Sequence, residues 1–424
     1  MINHSLEEWL EFINKNHPLE IELGLERVSV IWSRIRRELG VSGVAPFVIT
    51  VSGTNGKGST VKCIEEILCI SNHSCGSFTS PHIFKFNERI KLNGLAALDH
   101  DIIEAFELIE SLKGEIKLTY FEFNTLCALI IFSKNNLDFV ILEVGLGGRL
   151  DAVNIIDADL AILTSIGLDH KEWLGNTRLE IGREKLGIAR KGKPLLIGEH
   201  DLPKGLNRYI SDIGADSYFV NKDFFLSPHS AHSKELKITL KEELHTFGLL
   251  KDTSILSINK ALAIQALSLT GIPIEKNEIL KSLNQATLEG RQQSKIHNQI
   301  NILFDVAHNA EAAEVLAKNI ESNGKTYAVV SILRDKDWDS IVDKLDDTFD
   351  YWFIGRITDN DRAADPNVLL DFIRSRGLHG KVFESMEMAF QNAYNLATRN
   401  DLIVVFGSFS CVASVMKLIE IQPK

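Results

Sequence analysis

The sequence predicts an α/β protein built on mostly parallel sheets, and three observations carry that prediction. Short apolar, β-rich runs alternate with stretches of helical periodicity through most of the 424 residues. One such run, Pro46–Ser52, passes through a glycine-rich loop straight into a helical pattern. After Leu288-Glu-Gly-Arg291 the alternation starts again. Strands that alternate with helices lie parallel, with helices on both faces of the sheet.

Taken in order, residues 5–15 and 25–39 read as amphipathic helices, the second ending near Gly40. Pro46–Ser52 reads as a strand, and Thr60–Ile70 as the helix after its loop. Tyr120–Ser133 reads as a helix before two buried strands, Leu137–Val144 and Ala158–Ile166; Lys193–Gly198 is another strand. Ser217–Val220 and Glu235–Leu240 alternate apolar and polar residues with no long helix between them, which predicts a small antiparallel patch at the edge of the first domain. Helices follow at Thr253–Leu269 and Glu275–Gln285. Beyond the junction, strands fit Ile300–Val306, Thr326–Leu333, Tyr351–Ile354, Lys381–Phe383 and Asp401–Phe406, with a last helix at Cys411–Ile421. The expectation is a P-loop-containing, mostly parallel sheet domain at 1–288 and a smaller Rossmann-like α/β domain at 289–424.

Composition narrows the class of function. A length of 424 residues favours two or three domains. A net charge of -11 argues against a general binder of nucleic acid or anionic membrane, though a local amide-rich pocket can still hold an anion. The five cysteines, Cys63, Cys69, Cys75, Cys127 and Cys411, form no C-x-x-C pair. Free thiols in a reducing cytoplasm are the simplest reading, and their spacing does not suit zinc. The acidic, amphipathic start MINHSLEEWLEF is no secretory signal, and no apolar run approaches the roughly 20 residues of a membrane helix. A cytoplasmic protein, and a monomer, is expected.

The strongest chemical signal is Ser52-Gly-Thr-Asn-Gly-Lys-Gly-Ser-Thr60. Its glycines let the backbone turn sharply, so that the N–H groups of Thr54, Asn55, Gly56 and Gly58 can converge on one anion. The helix that follows adds its positive end. Lys57 supplies a point charge for the β/γ phosphates, and Ser59 or Thr60 a hydroxyl for Mg²⁺. The spacing departs from the common P-loop, with two residues between glycines instead of four.

Other positions carry weaker signals. Glu143 ends an apolar strand, where a carboxylate is costly unless it meets a cation, so a metal ligand is the first reading and a surface acid the second. Ser80 and His170 each follow a strand and could reach the same edge; His170 reads equally well as a turn residue. Gly145, Gly147 and Gly148 form a tight turn or line a site. Phe121 stacks on a flat heterocycle or fills the core. Lys185 reads by composition as part of a charged helix face. Asp305 and His308 follow a strand of the second domain; a helix cap and a surface turn are the plain alternatives.

The G-T-N-G-K loop resembles that of the Mur ligase superfamily. Within it the chain is most similar to the folylpolyglutamate synthase/dihydrofolate synthase family. The resemblance rests on that loop together with Glu22-Leu-Gly-Leu-Glu-Arg27, Thr79-Ser-Pro-His82, Leu118-Thr-Tyr-Phe-Glu122, Glu143-Val-Gly-Leu-Gly-Gly-Arg-Leu-Asp151, Thr164 to His170, Gly182-Arg-Glu-Lys-Leu-Gly187, Phe304-Asp-Val-Ala-His-Asn309 and Phe406-Gly-Ser408. It implies magnesium held around Ser59, Ser80, Glu143 and His170, and a Lys185 carboxylated by CO₂. It implies ATP on Thr54 to Thr60, Asn259, Arg291 and Asp305, and catalytic roles for Lys57, Lys185 and His308. It implies a pterin or folate on Glu20, Ile21, Glu22, Leu23, Thr119, Tyr120, Phe121, Glu122, Leu150, Asp151 and Ala152. Glutamate is implied near His308 and Ser408. Three positions depart from the family pattern: Glu289 for a proline before Gly-Arg, Ala310 for a proline after His-Asn, and Ser410 for a larger residue.

The implied activity, in folate biosynthesis and one-carbon metabolism, joins L-glutamate to dihydropteroate and then further glutamates to reduced folates, through an acyl phosphate made from ATP. A folylpolyglutamate synthase without the first activity is the near alternative. A cell-wall precursor ligase is a distant one, because it would carry a uridine-nucleotide domain before the loop and only about 50 residues precede it here. A nucleotide-dependent switch leaves the second domain and its Asp305/His308 pair unexplained.

Overall fold

A computed structural model describes residues 4–16, 22–230, 235–241, 246–273, 275–358 and 362–421. The chain divides into two compact units. The first comprises Met1–Ile166, Leu174–Asp252 and Leu256–Ala286; the second comprises Gly167–Trp173, Thr253–Ile255 and Thr287–Lys424.

The main sheet of the first unit has eight strands among the described residues: β1 Phe47–Ser52, β2 Cys75–Phe78, β3 Ile90–Leu92, β4 Leu95–Ala96, β5 Phe139–Glu143, β6 Leu160–Leu163, β7 Pro194–Ile197 and β8 Asp216–Phe219, in the order β4-β3-β2-β5-β1-β6-β7-β8. The six from β2 to β8 run parallel, and β3 and β4 add an antiparallel hairpin at the edge. Phe139–Glu143 and Leu160–Leu163 are buried along their whole length, as strands covered on both faces must be. The helix Tyr120–Ser133 is apolar nearly all round and buried from Glu122 to Phe132, between the sheet and the N-terminal helices. In this sheet β1 pairs with β5 on one side and β6 on the other. The connections therefore diverge at β1, and loops after its neighbours leave a crevice at the carboxyl edge.

Ser217–Val220 does not join the antiparallel patch expected for it. Asp216–Phe219 extends the main sheet, parallel to β7. The patch is instead a separate three-stranded sheet of β9 Phe225–Pro228, β10 Glu235–Thr239 and β11 Gly248–Lys251, in the order β11-β10-β9. Alternation marks a half-buried strand and cannot say which sheet it enters.

The second unit holds a six-stranded sheet among the described residues: β12 Gln293–His297, β13 Ile300–Asp305, β14 Thr326–Val330, β15 Tyr351–Gly355, β16 Gly380–Phe383 and β17 Leu402–Phe406. The order is β12-β13-β17-β14-β15-β16, parallel except for β12. A core built on Leu303, Val330, Trp352, Ile373 and Phe406 fills one face. β17 lies between β13 and β14, which brings the ends of β13 and β17 side by side at the carboxyl edge.

Candidate active site

The phosphate loop leaves β1 at the switch point of the first sheet. The helix after it begins at Lys57, three residues before the expected start, so Lys57 to Thr60 form its first turn. Gly56 takes φ 85, and a side chain there would strike Asn259 Oδ1 at 2.4 Å. Gly53 is tighter still, since an added Cβ would lie 1.8 Å from Thr164 Oγ1. Both glycines are thus dictated by close approach. The loop is stapled to the end of β6: Thr54 N–H donates to Ser165 O at 2.9 Å, Asn55 N–H to Ser165 Oγ at 2.9 Å, and Thr164 Oγ1 to Asn55 O at 2.6 Å. Lys57 Nζ donates to the carbonyls of Gly53 at 3.0 Å and Thr54 at 3.3 Å, which holds the ammonium over the loop. Thr60 spends its hydroxyl on Gly56 O at 2.9 Å, whereas Ser59 makes no side-chain hydrogen bond among the described residues. Of the two hydroxyls, Ser59 is the one suited to a metal.

Glu143, buried at the end of β5, accepts from Ser80 N–H at 3.0 Å. A Cβ on Gly58 would lie 3.4 Å from its Oε2. The carboxylate therefore stands over the first turn of the phosphate-loop helix, and Ser59, Ser80 and Glu143 share one corner of the first unit. His170 lies in the strap Gly167–Trp173, which packs with the second unit. Among the described residues no group of three or more His, Cys, Asp or Glu side chains is arranged to hold a metal ion. The oxygen donors of Glu143, Ser59 and Ser80 make a hard set that suits Mg²⁺.

Lys185 is not on an open helix face. It is 4 % exposed on the helix Arg178–Leu186, whose C-terminal end packs against the Gly147–Arg149 turn. Arg149 N–H donates to Glu184 O at 2.8 Å, and a Cβ on Gly148 would meet Lys185 O at 2.7 Å. The glycine turn after Glu143 is tight because this helix backs onto it.

The segments expected around a pterin gather beside that turn. Gly24 N–H donates to Leu150 O at 3.3 Å. The Phe121 ring covers Gly145, where a Cβ would lie 2.5 Å from it. Two acids in the set have structural duties. Glu122 closes a capping box with Thr119 and pairs with Arg27 at 3.0 Å, and Arg27 also pairs with Glu22. Asp151 accepts from Leu146 N–H at 2.8 Å and Val153 N–H at 3.1 Å, and burial pushes its carboxyl up to about 7 against those hydrogen bonds. Glu20 and Ile21 lie outside the described residues.

In the second unit Asp305 closes β13 and is buried. It does not cap a helix. It accepts from Gln292 N–H at 3.0 Å, Gln292 Nε2 at 2.7 Å and Ala307 N–H at 2.8 Å, and burial raises its pKa while Arg291 opposes the shift. The Arg291 guanidinium lies 5.6 Å from the centre of the Phe409 ring. His308 Nδ1 donates to Val306 O at 2.8 Å, which turns Nε2 toward Asp169 Oδ2 at 3.6 Å. Asp169 is also paired with the buried Lys336 at 2.6 Å and meets Asn309 Nδ2 at 3.4 Å. Neither Asp169, inside the Thr164 to His170 segment, nor Lys336 is among the expected site residues. Ser408 Oγ accepts from Cys411 N–H at 3.1 Å, so part of its bonding capacity goes to capping the last helix. Ala310 is the first residue of the helix Ala310–Asn319, a position where proline is equally at home, so that departure leaves the backbone unchanged.

Two α/β units, the first with a phosphate loop at its switch point and the second with an acid and a histidine at its own, define a Mur-type ligase. The profile of the family described as "Mur ligase, glutamate ligase domain" matches residues 290–409. The curated "Dihydrofolate synthase/folylpolyglutamate synthase" of Escherichia coli (strain K12) is 39% identical over 98% of this chain and 96% of its own length. The solved structure of E. coli FolC in complex with DHPP and ADP superposes with a TM-score of 0.91 at 38% identity, covering 99% of this chain and 98% of that one. A bifunctional folylpolyglutamate synthase/dihydrofolate synthase with Mn, AMPPNP and L-glutamate bound gives a TM-score of 0.89 at 35% identity, covering 99% of both chains. The chain belongs to the dihydrofolate synthase/folylpolyglutamate synthase family of ATP-dependent ligases.

Proposed function

We propose that this chain joins L-glutamate to dihydropteroate and then adds further glutamates to reduced folates. The observation that carries the reading is the near-full-length match to bifunctional relatives, among them structures holding ADP with DHPP and AMPPNP with Mn and L-glutamate. In the first step a carboxylate oxygen attacks the γ-phosphorus of ATP. The new O–P bond forms as the bond to the β,γ-bridging oxygen breaks, and ADP leaves. In the second step the amine of glutamate attacks the acyl carbon, the C–N bond forms, phosphate departs and the nitrogen loses a proton.

This chain's residues position and neutralise. The loop Thr54 to Thr60, through amides other than those of Thr54 and Asn55 that Ser165 already holds, and the Lys57 ammonium receive the phosphates, with Arg291 reaching the γ-phosphate, Asn259 the adenine and Asp305 also on the nucleotide. Ser59, Ser80, Glu143 and His170 would hold Mg²⁺, which supplies charge neutralisation for the transferred phosphoryl group. Leu150 to Ala152 and Thr119 to Glu122 receive the pterin with Glu20 to Leu23, and His308 and Ser408 receive glutamate. Lys185 is proposed to carry a carbamate, because a buried amine converted to an anionic oxygen donor fits a hard cation. No helix among the described residues is long and apolar enough to cross a membrane. Action on small molecules, not nucleic acid, fits the net charge of -11, and a cytoplasmic monomer is the proposed form. The test is ADP release with glutamate plus dihydropteroate, compared with glutamate plus tetrahydrofolate. Release with both is expected; release with tetrahydrofolate alone would make the chain a folylpolyglutamate synthase only.

A further inference from the structure

Arg89 belongs to none of the sets above, yet its surroundings are unusual for an arginine. It ends the short turn Phe86–Arg89 and is 8 % exposed. Its Nε donates to His82 Nδ1 at 2.8 Å. The guanidinium carbon lies 5.5 Å from the Tyr120 ring centre and 5.9 Å from that of Phe86, so aromatic faces cradle the cation. The two terminal amino groups make no hydrogen bond and no ion pair among the described residues. Burial pulls the Arg89 pKa down, while Tyr120, Glu143 and Glu88 favour the charged form. A buried cation with an unused fork is costly unless an anion meets it. Arginine presents that fork in the plane that matches a carboxylate, which lysine cannot do.

The position of the fork says which anion. Tyr120 belongs to the segment proposed to receive the pterin. Glu143 and Ser80, proposed to hold the metal, are neighbours as well: Thr79 N–H donates to Arg89 O at 2.8 Å, Ser80 N–H donates to Glu143 at 3.0 Å, and the Glu143 charge acts on the guanidinium. Asn124 stands one turn beyond Tyr120 on the same helix face. It is fully buried, and neither its amide nitrogen nor its amide oxygen has a partner at hydrogen-bond geometry among the described residues. Burial raises the Tyr120 pKa, while the Arg89 charge and the nearness of the Asn124 side chain to the Tyr120 hydroxyl, short of hydrogen-bond geometry, oppose the rise, so the three polar groups lie close together. The terminal amino groups of a cation, and an amide without hydrogen-bond geometry to any partner among the described residues, thus stand beside the pterin segment and near the phosphoryl corner. The group of the substrate that must reach that place is the carboxylate about to be phosphorylated. Aromatic packing alone explains a buried arginine stem; it does not explain the idle fork or the idle amide.

We infer that Arg89, assisted by Asn124, binds the reacting carboxylate of the pteroate or folate and holds it in line with the phosphoryl group. The inference rests on the ligase reading above. Once the acyl phosphate has formed, the same fork meets the oxyanion that develops when the amine adds to the acyl carbon, an interaction stronger in the transition state than in the bound acid.

The test compares dihydropteroate with its neutral carboxamide. Each is titrated into the full chain in the presence of a non-hydrolysable ATP analogue and magnesium. Wild type should bind the acid more tightly than the amide. Arg89→Gln should weaken the acid ~10- to 100-fold, the range of a charge-assisted pair, leave the amide within about twofold and so erase the preference. Nucleotide affinity should stay within about twofold, which also reports that the variant is folded. Arg89→Lys keeps the charge and the stem but lacks the fork, and should lose most of the preference; it decides the matter if Arg89→Gln does not bind nucleotide. An undiminished preference for the acid in a nucleotide-binding variant overturns the inference. Wild-type protein that releases no ADP with glutamate and either pteroate or tetrahydrofolate overturns the ligase reading instead, whatever Arg89 does.

Discussion

Single side chains in this protein are placed by the bonds their neighbours leave open. Lys57 is held by the carbonyls of Gly53 and Thr54, so its charge faces the loop before any phosphate arrives. Lys57→Ala should bind ATP more weakly and lose at least ~100-fold in ligation while keeping its fold, the scale expected when a preorganised charge is removed from a phosphoryl-transfer site. Steady-state ADP release with a circular-dichroism check measures this, and near-normal turnover would remove Lys57 from the site. Asp169 offers a second residue-scale test. Burial would raise its pKa, but His308, His170 and Lys336 outweigh it and hold the carboxyl well below the usual range. A group more acidic in the folded state stabilises that state above its unfolded pKa of about 3.9, and the gain fades as pH falls through and below that value. Asp169→Asn should therefore cost about 3 kcal/mol near pH 7, because it strands the buried Lys336 ammonium. The gap from wild type should close below about pH 4. Denaturation of both proteins from about pH 3 to about pH 8 checks the sign, and a gap that widens on acidification would refute it.

At the scale of elements, what the sequence makes legible tracks its strongest periodicities and punctuation. The helix Tyr120–Ser133 has the bounds read from its apolar run, because Thr119 and Glu122 form a capping box that fixes its start. Thr119→Ala should cost roughly 1 kcal/mol and loosen the turn that carries Phe121, with the folate KM rising while the ATP KM holds. Denaturant melts and the two KM values test this together. The strands that escaped the reading lack such signals or carry them in disguise. β2 reads Cys-Gly-Ser-Phe, too small and polar for a buried strand, and Gly76 is required because Phe132 and Leu137 leave no room for a side chain. β12 pairs with β13 through Asn298 and Gln299, both at positive φ, where a glycine would have announced the hairpin. The hairpin of β3 and β4 escaped the reading too, although its turn is an Asn93-Gly94 pair with both residues at positive φ. In the candidate site, motif spacing marks Lys57, Glu143 and Asp305, whereas Arg89 and Lys336 carry no signal, and Asp169 lies in the Thr164 to His170 motif with no role read for it. Their significance lies in burial beside partners 7 to 167 residues away, which no local pattern encodes.

For the whole molecule, the sequence holds one G-T-N-G-K loop, and one group of segments is proposed to receive a pterin. Two ligation activities would then share the phosphoryl corner at that loop, and a shared ring pocket is the expectation to be tested. Dihydropteroate and tetrahydrofolate share the bicyclic pterin that Phe121 and the Leu150 to Ala152 turn would grip, one reduction level apart, and differ chiefly in the length of the tail beyond the benzoyl group. Each substrate must also present its terminal carboxylate to the same transferred phosphate. Occupation by one therefore excludes the other. Dihydropteroate should inhibit glutamylation of tetrahydrofolate competitively, with an inhibition constant equal to its own KM as a substrate when both are measured at saturating ATP and glutamate. Substitution at Phe121 should shift the two values together, because it alters the shared ring site. Substitution at a group that contacts only the longer folate should move one alone. The measurement is product-resolved: chromatography separates dihydrofolate from tetrahydrofolate diglutamate in a mixed-substrate reaction. Independent, additive rates from the mixture would mean that two folate sites operate in one chain. Mutual suppression with matched constants would fix both activities on the one crevice at the carboxyl edge of the first sheet.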